Sequence, residues 1–329
     1  MLLDFLSNRY ETRGRGMSKK IISILILICL LNAAGAEELG VHVRPDQYLK
    51  SCFPTLEELG PVPPKFDKPA DTGELEIWFG RICCCDGFVL RCGGETMMID
   101  GGDRTNGGAT KRFLRLLGVR HVNYLFNTHH HDDHLAMQMR LLERGELTAD
   151  VFLTPYERDY PVDAQRYAQD VVDMRGVEYR TMCDGNTILL GGPGGARITF
   201  YRWLGNRNPN YSSMMCRVVY GERSMFFLAD VCGEAQAALA LTRRDIPWKS
   251  DILKVGHHGY TAQNKDLLHL LSPELAIVPN SPPGAIDTIS QMERERIPCL
   301  LTSFGTIYLH TDGGPLWHVF QDKYYLIEK

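Results

Sequence analysis

Asn127-Thr128-His129-His130-His131-Asp132-Asp133-His134 is the stretch from which the fold can be read. Four histidines and two aspartates fall within six residues. The apolar run Val122-Asn123-Tyr124-Leu125-Phe126 leads straight into them, and Leu135 to Leu142 reads as a helix behind them. The order is strand, short loop, helix, with imidazoles at the turn. On an extended segment His129 and His131 point to the same side. Asp133 and His134 open the helix, where its dipole and free N–H groups favour a carboxylate. Such a loop supplies two sets of nitrogen and oxygen ligands, His129 with His131 for one metal and Asp133 with His134 for another. A solvated His-rich loop or an adventitious nickel binder is the plain alternative. Against it stand candidate ligands elsewhere in the chain, since a hydrolytic site needs about three protein ligands and an open position per metal.

Two further strand ends provide them. Phe226-Phe227-Leu228-Ala229-Asp230 puts a carboxylate at the edge of a buried strand, where it can bridge two cations. Leu253-Lys254-Val255-Gly256-His257-His258-Gly259 puts imidazoles at another tip. A third strand, Thr96 to Asp103, ends in Asp100-Gly101-Gly102, and its glycines allow a tight turn. Loops after strands are where active sites of layered α/β folds gather.

The His-x-His-x-Asp-His pattern resembles the signature of the metallo-β-lactamase superfamily. That resemblance implies an α/β fold, specifically a four-layer αβ/βα sandwich, and hydrolysis of esters, amides, thioesters or phosphodiesters. It also implies that Asp100 lies beneath the ligand loop and orders it, although an Asp that merely caps a turn is an alternative. Asp86, Met98-Ile99-Asp100-Gly101-Gly102, the histidine loop, Tyr211-Ser212-Ser213-Met214, Leu228-Ala229-Asp230 and Lys254 to Gly259 follow in that order. The series looks like the C-terminal metallo-β-lactamase-like domain of ComEC competence proteins, over roughly residues 75–312. There are departures. Ala229 stands where that family has glycine, and cysteines replace the glycine-glutamine-glycine before Asp86. No channel-forming membrane domain is present, so DNA uptake is not inherited. Residues 135–229 contain no histidine, so the third histidine of the β-lactamases is missing; Asn210 or Ser212 is the candidate for its place.

The resemblance gives a metal set of His129, His131, Asp133, His134, Asp230 and His257, with Asp133, His258 and Asp100 as candidate catalytic residues. His129, His131 and Asp230 hold one ion, and Asp133, His134, Asp230 and His257 the other. His258 contacts a substrate oxyanion or shuttles a proton, or replaces His257 as ligand. Two divalent ions are expected, zinc from the nitrogen-rich set, with manganese as the alternative. A hydroxide held on them is the expected nucleophile. The expected substrate is a phosphodiester, of nucleic acid or of the cell envelope. A C–N or C–O hydrolase acting on β-lactams or lactones, and a non-catalytic metal-binding surface module, are the alternatives.

Composition agrees with a globular protein, with 44% hydrophobic and 23% charged residues in 329. Three regions are expected: 1–36 as an N-terminal extension with signal peptide, 37–73 as a Pro-rich linker or wrap, and 74–329 as the hydrolase domain. Lys19-Lys20, the apolar run Ile21 to Leu31 and Ala34-Gly35-Ala36 have the layout of a secretory signal. A secreted or extracytoplasmic chain beginning near Glu37, without a membrane domain, is therefore expected; an uncleaved N-terminal tether is the alternative. Removal of 1–36 leaves 31 basic and 38 acidic residues, a net charge of −7. Such a surface does not trap polyanions unless basic residues cluster at the mouth of the site. Arg104, Lys111, Arg112 and Arg207 are the candidates. Nine cysteines remain, an odd number that leaves at least one unpaired. Cys83-Cys84-Cys85 reads as small residues in a strand, or as a metal site. No protein partner follows from the sequence.

Overall fold

The computed structural model describes residues 73–321. The expected signal, the Pro-rich segment up to residue 72, and Cys52 lie outside the described residues. Fifteen strands form two sheets. Sheet 1 contains β1 (Leu75–Phe79), β2 (Phe88–Cys92), β3 (Glu95–Ile99), β4 (His121–Phe126), β5 (Thr148–Thr154), β6 (Glu178–Thr181), β14 (Ile307–Thr311) and β15 (His318–Gln321). Their order is β15-β14-β1-β2-β3-β4-β5-β6. Sheet 2 contains β7 (Thr187–Leu190), β8 (Ala196–Tyr201), β9 (Met215–Tyr220), β10 (Arg223–Phe227), β11 (Ile252–Lys254), β12 (Leu275–Val278) and β13 (Cys299–Leu301), ordered β13-β12-β11-β10-β9-β8-β7.

Both sheets are mixed, and each needs helices for the same reason. Strands β3 to β6 pair in parallel, as do β10 to β13. A parallel pair cannot be joined by a hairpin and requires a crossover. Helices α1 (Gly107–Leu116), α2 (Asp132–Glu143) and α3 (Asp163–Met174) make those of sheet 1. Helices α4 (Gly233–Thr242), α5 (Lys265–Leu271) and α6 (Ile286–Glu295) make those of sheet 2.

Side-chain alternation sorts the core into three sheets of contact. Phe88, Leu90, Ile99 and Phe126 of sheet 1 meet Ile198, Phe200, Val218 and Phe227 of sheet 2. On the other face Val89, Met98, Leu125 and Phe152 pack against Phe113, Leu135, Met139 and Val171 of the first three helices. Phe226, Leu253 and Ala276 pack against Leu239, Leu267 and Met292 of the last three. The result is helix, sheet, sheet, helix: the expected four-layer αβ/βα sandwich. Among the described residues no helix is long and apolar enough to cross a membrane.

Local differences have local causes. Helix α1 begins at Gly107 and α3 at Asp163. Cys83-Cys84-Cys85 is not in a strand. It forms a turn in which Cys84 takes φ 61°, and its amide donates to the Pro279 carbonyl. Strand β10 ends at Phe227, so Asp230 lies in the loop beyond it.

Candidate metal centre

Asp100 follows β3 directly, in left-handed backbone at φ 54°. The chain must approach α2 closely here: a Cβ on Gly101 would lie 2.7 Å from the Gln138 amide nitrogen. So placed, Asp100 is fully buried and accepts from Thr128 N at 2.9 Å, Thr128 Oγ1 at 2.7 Å and Asn127 Nδ2 at 3.2 Å. His134 Nδ1 lies 2.7 Å from Asp100 Oδ2, the oxygen that also accepts from Thr128 Oγ1. A carboxylate on Nδ1 turns Nε2 of the same ring outward. His134 Nε2 accordingly lies 3.2 Å from Asp230 Oδ2, and His129 Nε2 lies 3.7 Å from the same oxygen. The His129 and His131 rings are 4.6 Å apart. His130 turns away and packs on Tyr156 and Tyr160.

Sheet 2 supplies the other half. The Asp230 amide donates to Ser213 Oγ at 3.0 Å, after Ala229 has turned through φ 48°. The next loop is bound to it, because His257 N donates to the Ala229 carbonyl at 3.0 Å. The approach leaves no room for a side chain at Gly256, where a Cβ would lie 2.0 Å from Val231 O. His257 and His258 are both left-handed, at φ 47° and 51°. His258 is fully buried, with Nδ1 2.9 Å from Asp86 Oδ1 and Nε2 3.2 Å from Asp133 Oδ2 and 3.5 Å from Asp230 Oδ2. His257 is half-buried, 3.9 Å from Asp230 Oδ2, with its Nε2 3.2 Å from Asn210 Nδ2. Ser212 donates its hydroxyl to Asn208 O, so Asn210 and not Ser212 faces the histidines.

Asp230 is the hub. Both of its oxygens are buried without a hydrogen-bond partner, as are Nε2 of His129 and of His134. Unpartnered buried polar atoms are costly, and here they converge on one point. Burial would raise the Asp230 pKa, but His134 and His258 outweigh it and hold the carboxyl well below its usual range. Burial likewise opposes charge on His134, yet Asp230 and Asp100 push it up to about 10. His258 is raised well above the ordinary imidazole value against burial, by Asp230 and Asp86. His129 is held well below it by burial and by His134. Ligand atoms of Asp86, His134, Asp230 and His258 all lie within 4.8 Å of one another, and this buried cluster could hold a metal ion. Asp86 is the member least free to ligate. One oxygen faces His258 Nδ1, and the other pairs with the ammonium of Lys254. That pair keeps the Asp86 carboxyl ionised, Lys254 and His258 outweighing burial. His129, His131 and Asp133 stand around the cluster.

Part of the chain also matches a known group. Residues 85–183 match the metallo-beta-lactamase superfamily. The matched segment holds Asp86, Asp100 and the whole 127–134 loop, and the two mixed sheets with flanking helices are consistent with the fold of that superfamily. Asp230, His257 and His258 come from beyond it, on the segments that follow β10 and β11 of sheet 2. Among solved structures the chain is similar to a mutant of the CmlA β-hydroxylase, at 15% identity over 69% of this chain and 51% of that one, with a TM-score of 0.48. It thus spans about half the length of the hydroxylase. It is similar to Igni18, a metallo hydrolase from the hyperthermophilic archaeon Ignicoccus hospitalis, at 10% identity over 71% and 98% of the two chains (TM-score 0.44). The short form of human tRNase Z is similar at 16% identity over 61% and 91% (TM-score 0.38). No curated protein sequence matches the chain.

Sequence reasoning assigned no role to Lys254 or to Ser213. Lys254 carried a signal, because a lysine inside the apolar run Ile252 to Val255 requires a buried partner. It finds Asp86 and the Ala229 carbonyl, the latter at 2.8 Å. Of the basic residues expected near the mouth, Lys111 pairs instead with Glu146 at 2.6 Å.

Proposed function

We propose that the chain is a metal-dependent hydrolase and that its substrate is a phosphodiester. The observation that carries the first part is the convergence on Asp230 of imidazole nitrogens and carboxylate oxygens that have no hydrogen-bond partner in the protein. In this reading His129, His131 and Asp230 hold one divalent ion, with His257 and Asn210 at its outer side. Asp133, His134, Asp230 and His258 hold the second. His258 takes the place first expected for His257, because it is the buried ring whose Nδ1 is fixed by a carboxylate. Zinc suits so many nitrogens, with manganese as the alternative. The ions would supply Lewis-acid chemistry, activating water and drawing charge from the substrate oxygens.

The protein does the rest. Asp100 and Asp86 hold protons on Nδ1 of His134 and His258, which aims both Nε2 atoms inward. Asp133, kept ionised against burial by His258 and His134, serves as a ligand, and half-buried His257 beside Asp230 can pass a proton to the leaving oxygen. Phosphodiester specificity is supported by the resemblance to the ComEC domain and by the paired ligand sets, which suit a substrate with two non-bridging oxygens. The N-terminal segment with its Ala34-Gly35-Ala36 site supports export, to be checked by finding Glu37 at the N-terminus of the extracytoplasmic protein.

The test is hydrolysis of bis-p-nitrophenyl phosphate with added zinc or manganese, beside single-stranded DNA and a chromogenic cephalosporin. Phosphodiester turnover should fall at least a hundredfold, about 3 kcal/mol in the barrier, in Asp230→Asn. Turnover of the cephalosporin alone would move the assignment to a C–N hydrolase. Full activity and full metal content in Asp230→Asn would remove Asp230 from the site.

A further inference from the structure

The turn that replaces the expected strand at Cys83-Cys84-Cys85 brings two thiols together. In an extended strand adjacent side chains point to opposite faces. Here the left-handed backbone of Cys84, φ 61°, folds its side chain back, and Cys83 Sγ lies 3.1 Å from Cys84 Sγ. Both residues are half-buried, so a small reagent can reach them. The third thiol is set apart: Cys85 is buried, and Asn106 Nδ2 donates to its sulfur at 3.4 Å.

We propose that Cys83 and Cys84 are a reactive dithiol that a small-molecule disulfide oxidises to a bridge between adjacent residues. One thiol gives up its proton and attacks the reagent, forming a mixed disulfide and releasing one small thiol. The neighbouring sulfur then attacks the protein sulfur of that mixed disulfide and releases the second. Two S–H bonds and one S–S bond are consumed, and one S–S bond and two small thiols are formed. The pair is chemically labile by geometry. Consecutive Cα atoms are about 3.8 Å apart, short of the roughly 4.4–6.8 Å of ordinary disulfides. Such a strained bridge is easily reduced, which is the property of a reversible site and not of a structural staple.

Its position gives oxidation somewhere to act. Cys84 Sγ donates to Asn280 Oδ1 at 3.0 Å, and Asn280 Nδ2 donates to the carbonyl of His258 at 3.2 Å. One buried carboxamide therefore joins the thiol turn to a histidine of the metal cluster. Closing the bridge removes the donor from Cys84 and frees Asn280 Oδ1 on that side.

The experiment is peptide mass mapping of the full chain, treated with oxidised glutathione, alkylated with iodoacetamide after unfolding, and digested with trypsin. The peptide Ile82 to Arg91 contains these three cysteines and no other. It should lose two hydrogens and take up one alkyl group in place of three, and prior reduction should restore all three. Exposed Cys183 should carry glutathione, showing that the oxidant worked. Cys85→Ser should keep the bridge, and Cys84→Ser should abolish it. Alkylation of all three cysteines, a glutathione adduct retained on the peptide, or a bridge that survives Cys84→Ser would each overturn the proposal. The readout is independent of any hydrolytic activity.

Discussion

Ala229 is a residue in the wrong conformation for its side chain. Left-handed backbone costs an L-residue about 1–2 kcal/mol, which glycine avoids at a smaller entropic cost of roughly 0.5–1 kcal/mol. Asp100, His257 and His258 share that conformation and cannot be replaced without losing their side chains. Ala229 can. We expect Ala229→Gly to be neutral or to stabilise by up to about 1 kcal/mol in urea unfolding; a loss of stability would show that the methyl group packs better than the backbone suffers. Protons are the second matter at this scale. The pKa of His134 in the folded protein is raised to about 10. A raised imidazole contributes stability fully below its unfolded value, near 6.5, and that contribution is lost as pH rises through the folded one. The metal-free protein should therefore lose stability between pH 6.5 and about 10. Asp230 and Asp86 are lowered, so their share is present above 3.8 and disappears in stronger acid. In the proposed ligand set a metal ion would displace a proton from His134, so zinc affinity should rise with pH over the alkaline window. Urea midpoints measured with chelator and with zinc would decide the matter; a metal-free midpoint that climbs from neutral to alkaline pH has the wrong sign.

Among the elements, legibility followed periodicity and punctuation. The β2–β3 hairpin was readable because Gly93-Gly94 separates two apolar runs, and α2 because Leu135 to Leu142 follows two acidic residues. The loop His129 to His134 was readable as a turn between strand and helix, and His134 from it joins the buried cluster that could hold a metal. What failed was backbone that breaks the usual rules of residue choice. No propensity places left-handed φ at Cys84, so three small residues beside a strand looked like part of it. The pairing of Lys254 with Asp86 joins positions 168 residues apart, which periodicity does not report. Which of His257 and His258 a carboxylate pins is likewise a fact of the packed loops: Asp86 lies against Nδ1 of His258. Helix α5 offers a check at this scale. Asn264 caps it by accepting from Leu267 N at 3.0 Å. Asn264→Ala should cost about 1 kcal/mol of stability and leave metal content unchanged; a fall in bound zinc would mean that the helix end and the centre are coupled.

Over the whole molecule, the sandwich class was legible from strands alternating with helices, whereas the sheet to which each strand belongs was not. Strands β14 and β15 show this best. They follow sheet 2 in sequence yet return to the edge of sheet 1, β14 pairing antiparallel with β1. Only the tertiary contacts determine that return. The candidate metal cluster also draws on both sheets, with Asp86 in a loop of sheet 1, Asp133 and His134 in the first turn of α2, and Asp230 and His258 in loops of sheet 2. The exposed turn from Cys183 to Asn186 joins the two groups of strands. Cut there, the protein becomes a two-part assembly in which neither fragment carries the whole proposed ligand set. The C-terminal fragment would lend its last hairpin to the sheet of the other, and an ion in the proposed site would fasten both. Zinc at about a hundred times its Kd for the assembled centre should then tighten association of the fragments about a hundredfold. Titration of fragments 1–184 and 185–329 with and without zinc measures that gain, and an affinity indifferent to the ion would show that the two halves do not share it.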